Sequence, residues 1–240
     1  MAFLLVDDQP IITYALSELL KDAFPNAAHI DAAGDSLAML KCLTSKHYDF
    51  LILDLIMPGV GQSIAMLRAA LSEAPNLGVV IFSGNKSPCL ALAALEQGAS
   101  AYVCKSSGYH LIIEAIQTLK AGKVFCDPVI DLGSAHMHPW YSLSDLEWHV
   151  LLSLARGECL QVVAKRQSRD YKTIAAHKYN ALNKLGLSAG VELANYLVTQ
   201  GLGYLLNDLT LDCTDPSGLT RTLQNVSTAS RKSFHPSRGQ

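Results

Sequence analysis

Asp7, Asp8, Asp54, Ser83, Tyr102 and Lys105 are scattered over the first half of the chain, yet each belongs to the end of a short apolar run. Asp7 and Asp8 follow Ala2 to Val6, and Asp54 follows Phe50 to Leu53. Ser83 follows Val79 to Phe82, and Lys105 follows Ala101 to Cys104, the run that holds Tyr102. Such runs read as strands. Strands separated by helical stretches build a parallel sheet, and ligands bind at its carboxyl edge. Three carboxylates, a hydroxyl and an ammonium on one rim suit a divalent cation and a phosphoryl group rather than a hydrocarbon.

A carboxylate can accept a phosphoryl group as a mixed anhydride, and Mg²⁺ held by carboxylates neutralises the charge of the donor. Asp54 is the expected acceptor because its strand is the most central. Asp7 and Asp8 are the expected Mg²⁺ ligands with Asp54, joined by the Ile56 carbonyl. Lys105 would pair with the new charge, and the Ser83 hydroxyl would hydrogen-bond a phosphoryl oxygen.

The elements that must position these groups alternate regularly. The pattern predicts strands at Ala2–Val6, Ala28–Asp31, Phe50–Leu53, Leu77–Phe82 and Ala101–Cys104. Between and after them it predicts helices at Ile11–Ala23, Ser36–Ser45, Ser63–Glu73, Pro88–Gln97 and Tyr109–Lys120. These are five βα units of a doubly wound α/β domain with a five-stranded parallel sheet, over residues 1–122. Residues 123–142 lose the pattern, carry Pro128, Gly133 and Pro139, and read as a linker.

Residues 1–122 resemble the receiver domain of two-component response regulators. The resemblance is carried by VDDQP at Val6–Pro10, LDLIMPG at Leu53–Gly59, FSG at Phe82–Gly84 and GASAYVCKS at Gly98–Ser106. It implies phosphorylation of Asp54 by a histidine kinase, phosphotransfer protein or small phosphodonor. It also implies that Ser83 moves inward and that Tyr102 follows as a switch residue, a population shift biased by charge. Two departures are Ser106-Ser107 after Lys105 and Gly84 after Ser83.

The second half reads as helices only. Ser144 and Glu147 form a capping box at the start of the first, with Leu146, Val150, Leu151 and Leu154 as its apolar stripe. Leu160–Gln167, Lys172–Leu185 and Val191–Thr199 follow, so residues 143–203 are expected to be a four-helix helix-turn-helix domain that puts its second motif helix in the DNA major groove. Residues 204–240 are polar and expected to be a disordered tail.

Residues 143–200 resemble the DNA-binding domain of the NarL/LuxR family through Leu143–Glu147, Ala155–Gly157, Val163-Ala164, Lys172–Ile174, His177 and Asn183–Leu187. Asn195–Leu197 and Arg169 point to the subgroup of the Rcs capsule-synthesis regulator. The resemblance implies that Ala175, Ala176 and Tyr179 face the bases with Lys178 beside them. It places Lys172, Thr173 and Lys184 on backbone phosphates. Alanine and tyrosine cannot make the bidentate base contacts of Arg or Asn, so direct readout is expected to be weak.

The totals fit these readings. The 240 residues are 50% hydrophobic and 17% charged, with net charge -2. Residues 1–127 carry 8 Lys/Arg against 12 Asp/Glu, and residues 140–203 carry 7 against 5, so the basic balance lies in the second half. Six cysteines without a CxxC pair read as thiols of a cytoplasmic protein rather than disulfides or zinc ligands. No apolar run approaches the roughly 20 residues of a membrane span. An enzyme is not expected: no Walker loop, Ser-His-Asp arrangement or HExxH occurs. Ile56 also stands where aspartate-nucleophile phosphatases need a second aspartate. The reading is a transcription regulator that homodimerises on DNA when phosphorylated. The alternative is an interaction module that binds DNA only as a heterodimer with another regulator.

Overall fold

The computed structural model describes residues 1–57 and 64–207, with the side chains of Tyr204 and Asn207 left aside. The described residues divide into two units, Met1–Met137 with Gln200–Tyr204, and His138–Thr199 with Leu205–Asn207.

The first unit holds β1 (Ala2–Val6), α1 (Pro10–Ala23), β2 (His29–Ala33), α2 (Ser36–Ser45), β3 (Phe50–Leu53), α3 (Ile64–Glu73), β4 (Gly78–Ser83), α4 (Pro88–Glu96), β5 (Ala101–Cys104) and α5 (His110–Lys120). The strands pair in parallel in the order β2-β1-β3-β4-β5-β6, where β6 is Phe125–Cys126. Side chains alternate between two apolar layers, as the period of a strand requires. Leu4, Val6, Leu51, Leu53, Val79, Ile81 and Tyr102 face the layer of α2, α3 and α4. Phe3, Leu5, Ile52, Val80, Phe82 and Val103 face that of α1 and α5. Every residue of β1, β3 and β5 is buried, which is why their sequences run apolar without interruption.

The expected five-stranded sheet needs one correction: among the described residues it has six strands. β6 lies within the stretch expected as a linker, and α6 (Leu132–His136) follows it and packs on α4. A two-residue strand and a five-residue helix show no period of their own, so hydrophobic patterning could not reveal them. The signal available was α4 itself. Its sequence PCLALAALE has no polar face before Glu96, and Cys89 to Ala94 are all buried, which demands a cover on both sides.

In the second unit a 3₁₀ turn (Pro139–Ser142) leads to α7 (Asp145–Ala155), α8 (Leu160–Arg166), α9 (Tyr171–Leu185), a 3₁₀ turn (Gly190–Glu192) and α10 (Leu193–Thr199); a short α11 (Tyr204–Asn207) follows. The capping box is formed, with Ser144 Oγ accepting from the Glu147 N–H and the Ser144 N–H donating to Glu147 Oε2. Asp170 caps α9, accepting from the Lys172 N–H, and Gly186 ends it at φ 69, a conformation that costs glycine little. Val150, Val163, Ala164 and Ile174 join α7, α8 and α9 in one core, with Leu146, Leu154 and Leu160 against it. Trp140 is buried and stacks edge-on with Trp148 at 6.3 Å. The stretch expected as a disordered tail lies outside the described residues from 208 onward.

Candidate functional site

Strand order reverses between β1 and β3: from β1 the chain goes outward to β2, then returns to β3 on the other side. At such a switch point the loops leave in opposite directions and open a crevice at the carboxyl edge. Register then decides what lines it. Val6 pairs with Leu53, and the Asp54 N–H donates to the Val6 carbonyl at 2.9 Å, so the residues that follow, Asp7 and Asp54, meet. On β4 and β5, Ser83 pairs with Cys104, and the Lys105 N–H donates to the Ser83 carbonyl at 2.8 Å.

The side chains converge accordingly. Lys105 Nζ lies 2.6 Å from Asp7 Oδ2 and 2.7 Å from Asp54 Oδ2. Both carboxylates are buried, Asp7 at 4% and Asp54 at 3% exposure. Asp54 Oδ1 accepts the Ile56 N–H at 2.9 Å, and Asp7 Oδ1 accepts the Gln9 N–H at 2.9 Å. One oxygen each of Asp7, Asp8 and Asp54 lies within 4.8 Å of the others, and the buried Asp8 Oδ1 has no hydrogen-bond partner. Three carboxylates around one ammonium leave two negative charges uncompensated when all are ionised. An all-oxygen donor set with an orphaned carboxylate oxygen fits a hard divalent cation such as Mg²⁺.

The ionisation state is contested by two forces. Burial pushes the Asp54 carboxyl up, while the Lys105 ammonium and the Ile56 N–H pull it back without fully cancelling the rise. Burial alone would lower Lys105, but its hydrogen bonds to Asp54 and Asp7 outweigh this and hold it above its ordinary value. The lysine therefore stays charged and offsets part of the cost of ionising Asp54.

The hydroxyl residues sit one step away. Ser83 is fully buried, and its Oγ accepts the Asn85 N–H at 3.2 Å. Tyr102 is fully buried as well, and its hydroxyl donates to the Asn85 carbonyl at 2.8 Å. Asn85 thus links Ser83 to Tyr102 through its two backbone groups, a role the sequence reading missed. The only local signal was Asn85 Oδ1 turning the loop by accepting the Ser87 N–H, an ordinary turn habit of asparagine. Burial drives the Tyr102 phenol well up, so it is neutral.

Cys42, Cys89, Cys104, Cys126 and Cys159 are free, and Cys213 is outside the described residues. Burial and the neighbouring Asp127 carboxylate push Cys104 and Cys126 to about 11, so neither is a reactive thiolate.

The residues expected to meet DNA all lie on α9, Lys184 in its last turn. Lys172, Ala176 and Tyr179 are exposed, Tyr179 at 67%. Thr173, Ala175 and Lys178 are half-buried. Lys184 Nζ is engaged inside its own unit, 2.6 Å from Oε2 of the buried Glu147 and 3.3 Å from the Ser142 carbonyl. The partner was visible in the sequence as the capping-box glutamate, but a residue 37 positions away gives no local cue to the pairing. Among the described residues no helix is long and apolar enough to cross a membrane.

Residues 3–117 match the response regulator receiver domain family. The chain is 28% identical over 206 residues to the transcriptional regulatory protein RcsB of Escherichia coli strain K12, covering 82% of this chain and 94% of that protein. The response regulator GacA of Pseudomonas aeruginosa is 25% identical over 209 residues, covering 83% and 96%. Among solved structures, RcsB from Salmonella enterica bound to the promoter rprA with the phosphomimetic BeF3- superposes with a TM-score of 0.61 at 26% identity, covering 82% of this chain and 98% of that one. Two RcsB dimers bound to two parallel DNAs give 0.60 at 27% identity, covering 83% and 98%. The aspartate-lined rim lies inside the segment that matches the response regulator receiver domain family, and the chain as a whole is similar to the RcsB and GacA response regulators.

Proposed function

We propose that this protein is a two-component transcription regulator in which phosphorylation of Asp54, in the receiver of residues 1–122, controls dimerisation and DNA binding by the domain of residues 143–203. The observation that carries the reading is the rim itself, where one lysine holds Asp7 and Asp54 together and two negative charges remain unmatched. An Asp54 carboxylate oxygen forms a bond to phosphorus while the P–N bond of a phosphohistidine, or the P–O bond of an acyl phosphate, breaks and its electron pair leaves with the donor. Asp7, Asp8 and Asp54 would hold Mg²⁺ with the Ile56 carbonyl, and its charge would offset that of the phosphoryl group. Lys105 keeps the carboxylate ionised beforehand and pairs with a phosphoryl oxygen afterwards. Ser83 supplies a hydroxyl to the same group, and Tyr102 responds through Asn85.

In the second domain α7 to α10 form a helix-turn-helix module in which α8 and α9 are the motif and α9 enters the major groove. Lys172 and Thr173 meet phosphates, with Lys178 beside them, while Ala175, Ala176 and Tyr179 face the bases. RcsB in the related structures forms dimers on DNA, and the same assembly in the cytoplasm is the reading for this chain. Intact-mass spectrometry after acetyl phosphate with Mg²⁺ tests the acceptor. Wild type gains one phosphoryl group and Asp54→Ala gains none; a gain in both removes Asp54 from the role.

A second reading rests on α9. A reading face of Ala175, Ala176 and Tyr179 offers no bidentate donor to a base edge, so the chain would bind its operator only beside a second regulator. Fluorescence anisotropy with operator DNA separates the two: tight, sequence-specific binding by the purified protein alone excludes the heterodimer.

A further inference from the structure

Asp127 is 2% exposed, although it lies in a stretch without an apolar period and next to Pro128. Its carboxylate is fully used: Oδ2 accepts the Cys104 N–H at 2.9 Å and Oδ1 accepts the Val129 N–H at 3.0 Å. Its own N–H donates to the Tyr102 carbonyl at 2.8 Å, and its carbonyl accepts the Ile130 N–H at 2.9 Å. One buried residue therefore fastens the segment Phe125–His136 to β5 twice, its backbone N–H at Tyr102 and its carboxylate at Cys104, immediately before Lys105. The rest of the segment is packed as firmly. Phe125 pairs with Ala101 and Cys126 with Tyr102. Ile130 is buried in the same apolar cluster as Tyr102, Leu90 and Ala94, and Leu132 of α6 packs against that cluster.

This fastening has a route to the rim. Ser83 Oγ is bonded to the Asn85 N–H, and the Asn85 carbonyl is bonded to the Tyr102 hydroxyl. A hydroxyl drawn toward a new phosphoryl oxygen must release the Asn85 N–H, and Lys105 drawn toward the same group pulls on the strand end that Asp127 holds. The segment then runs without interruption into the second unit, which begins at His138. A charge change at the acceptor therefore reaches the segment through hydrogen bonds, and the segment is covalently continuous with the output half.

We infer that Phe125–His136 is the transmission element of this receiver, with Asp127 the positioning residue that couples it to the acceptor rim. The inference rests on the reading of Asp54 as acceptor. Phosphorylation shifts the equilibrium between a fastened and a loosened segment, and it cannot do so unless the two states bind the phosphoryl group differently. Asp127 touches no reacting atom.

Hydrogen-exchange mass spectrometry on the full chain, with and without acetyl phosphate and Mg²⁺, reads the coupling. In phosphorylated wild type, exchange over residues 125–136 rises on the order of tenfold, within the usual range of coupling between sites. Asp127→Asn keeps the shape and one acceptor; it takes up one phosphoryl group normally, but its faster exchange in this segment no longer responds. Intact mass on the same samples reports loading, so a failure of Asp54 to load is distinguished from a failure of coupling. A separate arm needs no phosphodonor: Lys105→Met removes the rim cation and raises exchange over the same residues. Unchanged exchange in loaded wild type, or in Lys105→Met, overturns the inference. So does an Asp127→Asn segment that responds as wild type does, because the carboxylate is then only structural.

Discussion

Each unit of this molecule buries carboxylate against lysine, at nearly the same distance and to different ends. Lys105 Nζ stands 2.6 Å from Asp7 and 2.7 Å from Asp54 in the first unit, and Lys184 Nζ stands 2.6 Å from Glu147 in the second. The second pair is closed. Its charges match, and Glu147 Oε2 also accepts the Ser144 N–H of the capping box. The first cluster is open, with three carboxylates to one ammonium and an Asp8 oxygen that nothing satisfies. A buried ion pair is therefore weak evidence of function; what marks a site is charge and hydrogen-bonding capacity left over after the local structure has been satisfied.

The largest effect expected from this contrast is on Mg²⁺ affinity. Replacing Asp8 by asparagine removes one of the charges facing the ion, worth about 1 to 4 kcal/mol at such separations, or about fivefold to nearly a thousandfold in Kd. Lys105→Met has the opposite sign: it leaves all three carboxylates unmatched, lowers thermal stability without Mg²⁺ and strengthens Mg²⁺ binding. Lys184→Met alters neither Mg²⁺ affinity nor its stabilising effect. Calorimetric titration with MgCl₂ measures all three. Equal responses of the Lys105 and Lys184 variants would erase the distinction between the open cluster and the closed pair.

Next in size is the cost of opening the closed pair. Glu147→Ala removes half of the capping box and leaves the Lys184 ammonium without its partner, a loss of about 2 to 3 kcal/mol. The two tryptophans of the chain, Trp140 and Trp148, both lie in the second unit, so their fluorescence follows its urea unfolding selectively. The midpoint falls in Glu147→Ala, while phosphoryl uptake at Asp54 is untouched. A variant as stable as wild type would show that the pair contributes nothing beyond neutral packing.

The same contrast explains what could be read from the chain. The rim was legible because Asp7, Asp54, Ser83 and Lys105 each end or directly follow a central strand, and central parallel strands are continuous apolar runs: β1, β3 and β5 fall where the pattern put them. The edges were less so. β2 occupies His29–Ala33 rather than Ala28–Asp31, because a half-exposed edge strand mixes His and Asp into its run. β6, α6 and the burial of Asp127 were invisible, since their order comes from the apolar demand of α4 and from hydrogen bonds to β5, not from any property of 123–142 alone. The pairing of Lys184 was hidden for a related reason: a contact between α7 and α9 has no spacing rule in sequence. That Asp54 and Lys105 would meet follows only because each terminates a neighbouring or near-neighbouring strand of one parallel sheet.

A smaller and more specific effect follows from proton linkage. Burial alone would raise Glu147, but the hydrogen bond from Lys184 and those of the capping box outweigh it, and its carboxyl is held below the ordinary 4.5. A depressed carboxyl contributes stability that is complete above the unfolded value and is lost as pH falls through the folded one. The tryptophan-detected midpoint of wild type should therefore decline as pH drops below about 4.5. Glu147→Gln starts lower at neutral pH and loses that share of the decline. Parallel curves for the two proteins would assign the acid sensitivity of this unit to other carboxylates.

The smallest effect separates the lysines of α9 by their partners. Lys172 is exposed on the first turn, where its ammonium is available to a phosphate; Lys184 is already matched by Glu147. Each phosphate neutralised by a lysine releases a condensed counterion, so the slope of log K against log salt counts such contacts, at about 0.9 per phosphate. Lys172→Ala should reduce the slope by about one and weaken binding evenly across sequences. Lys184→Ala should leave it within a few tenths, because the ion pair broken is internal to the protein and releases no counterion from DNA. Fluorescence anisotropy at four or more salt concentrations reads both slopes on one probe. A slope lowered by about one in Lys184→Ala would mean that this lysine leaves Glu147 for the phosphate on binding, and the closed pair would then be a contact held in reserve.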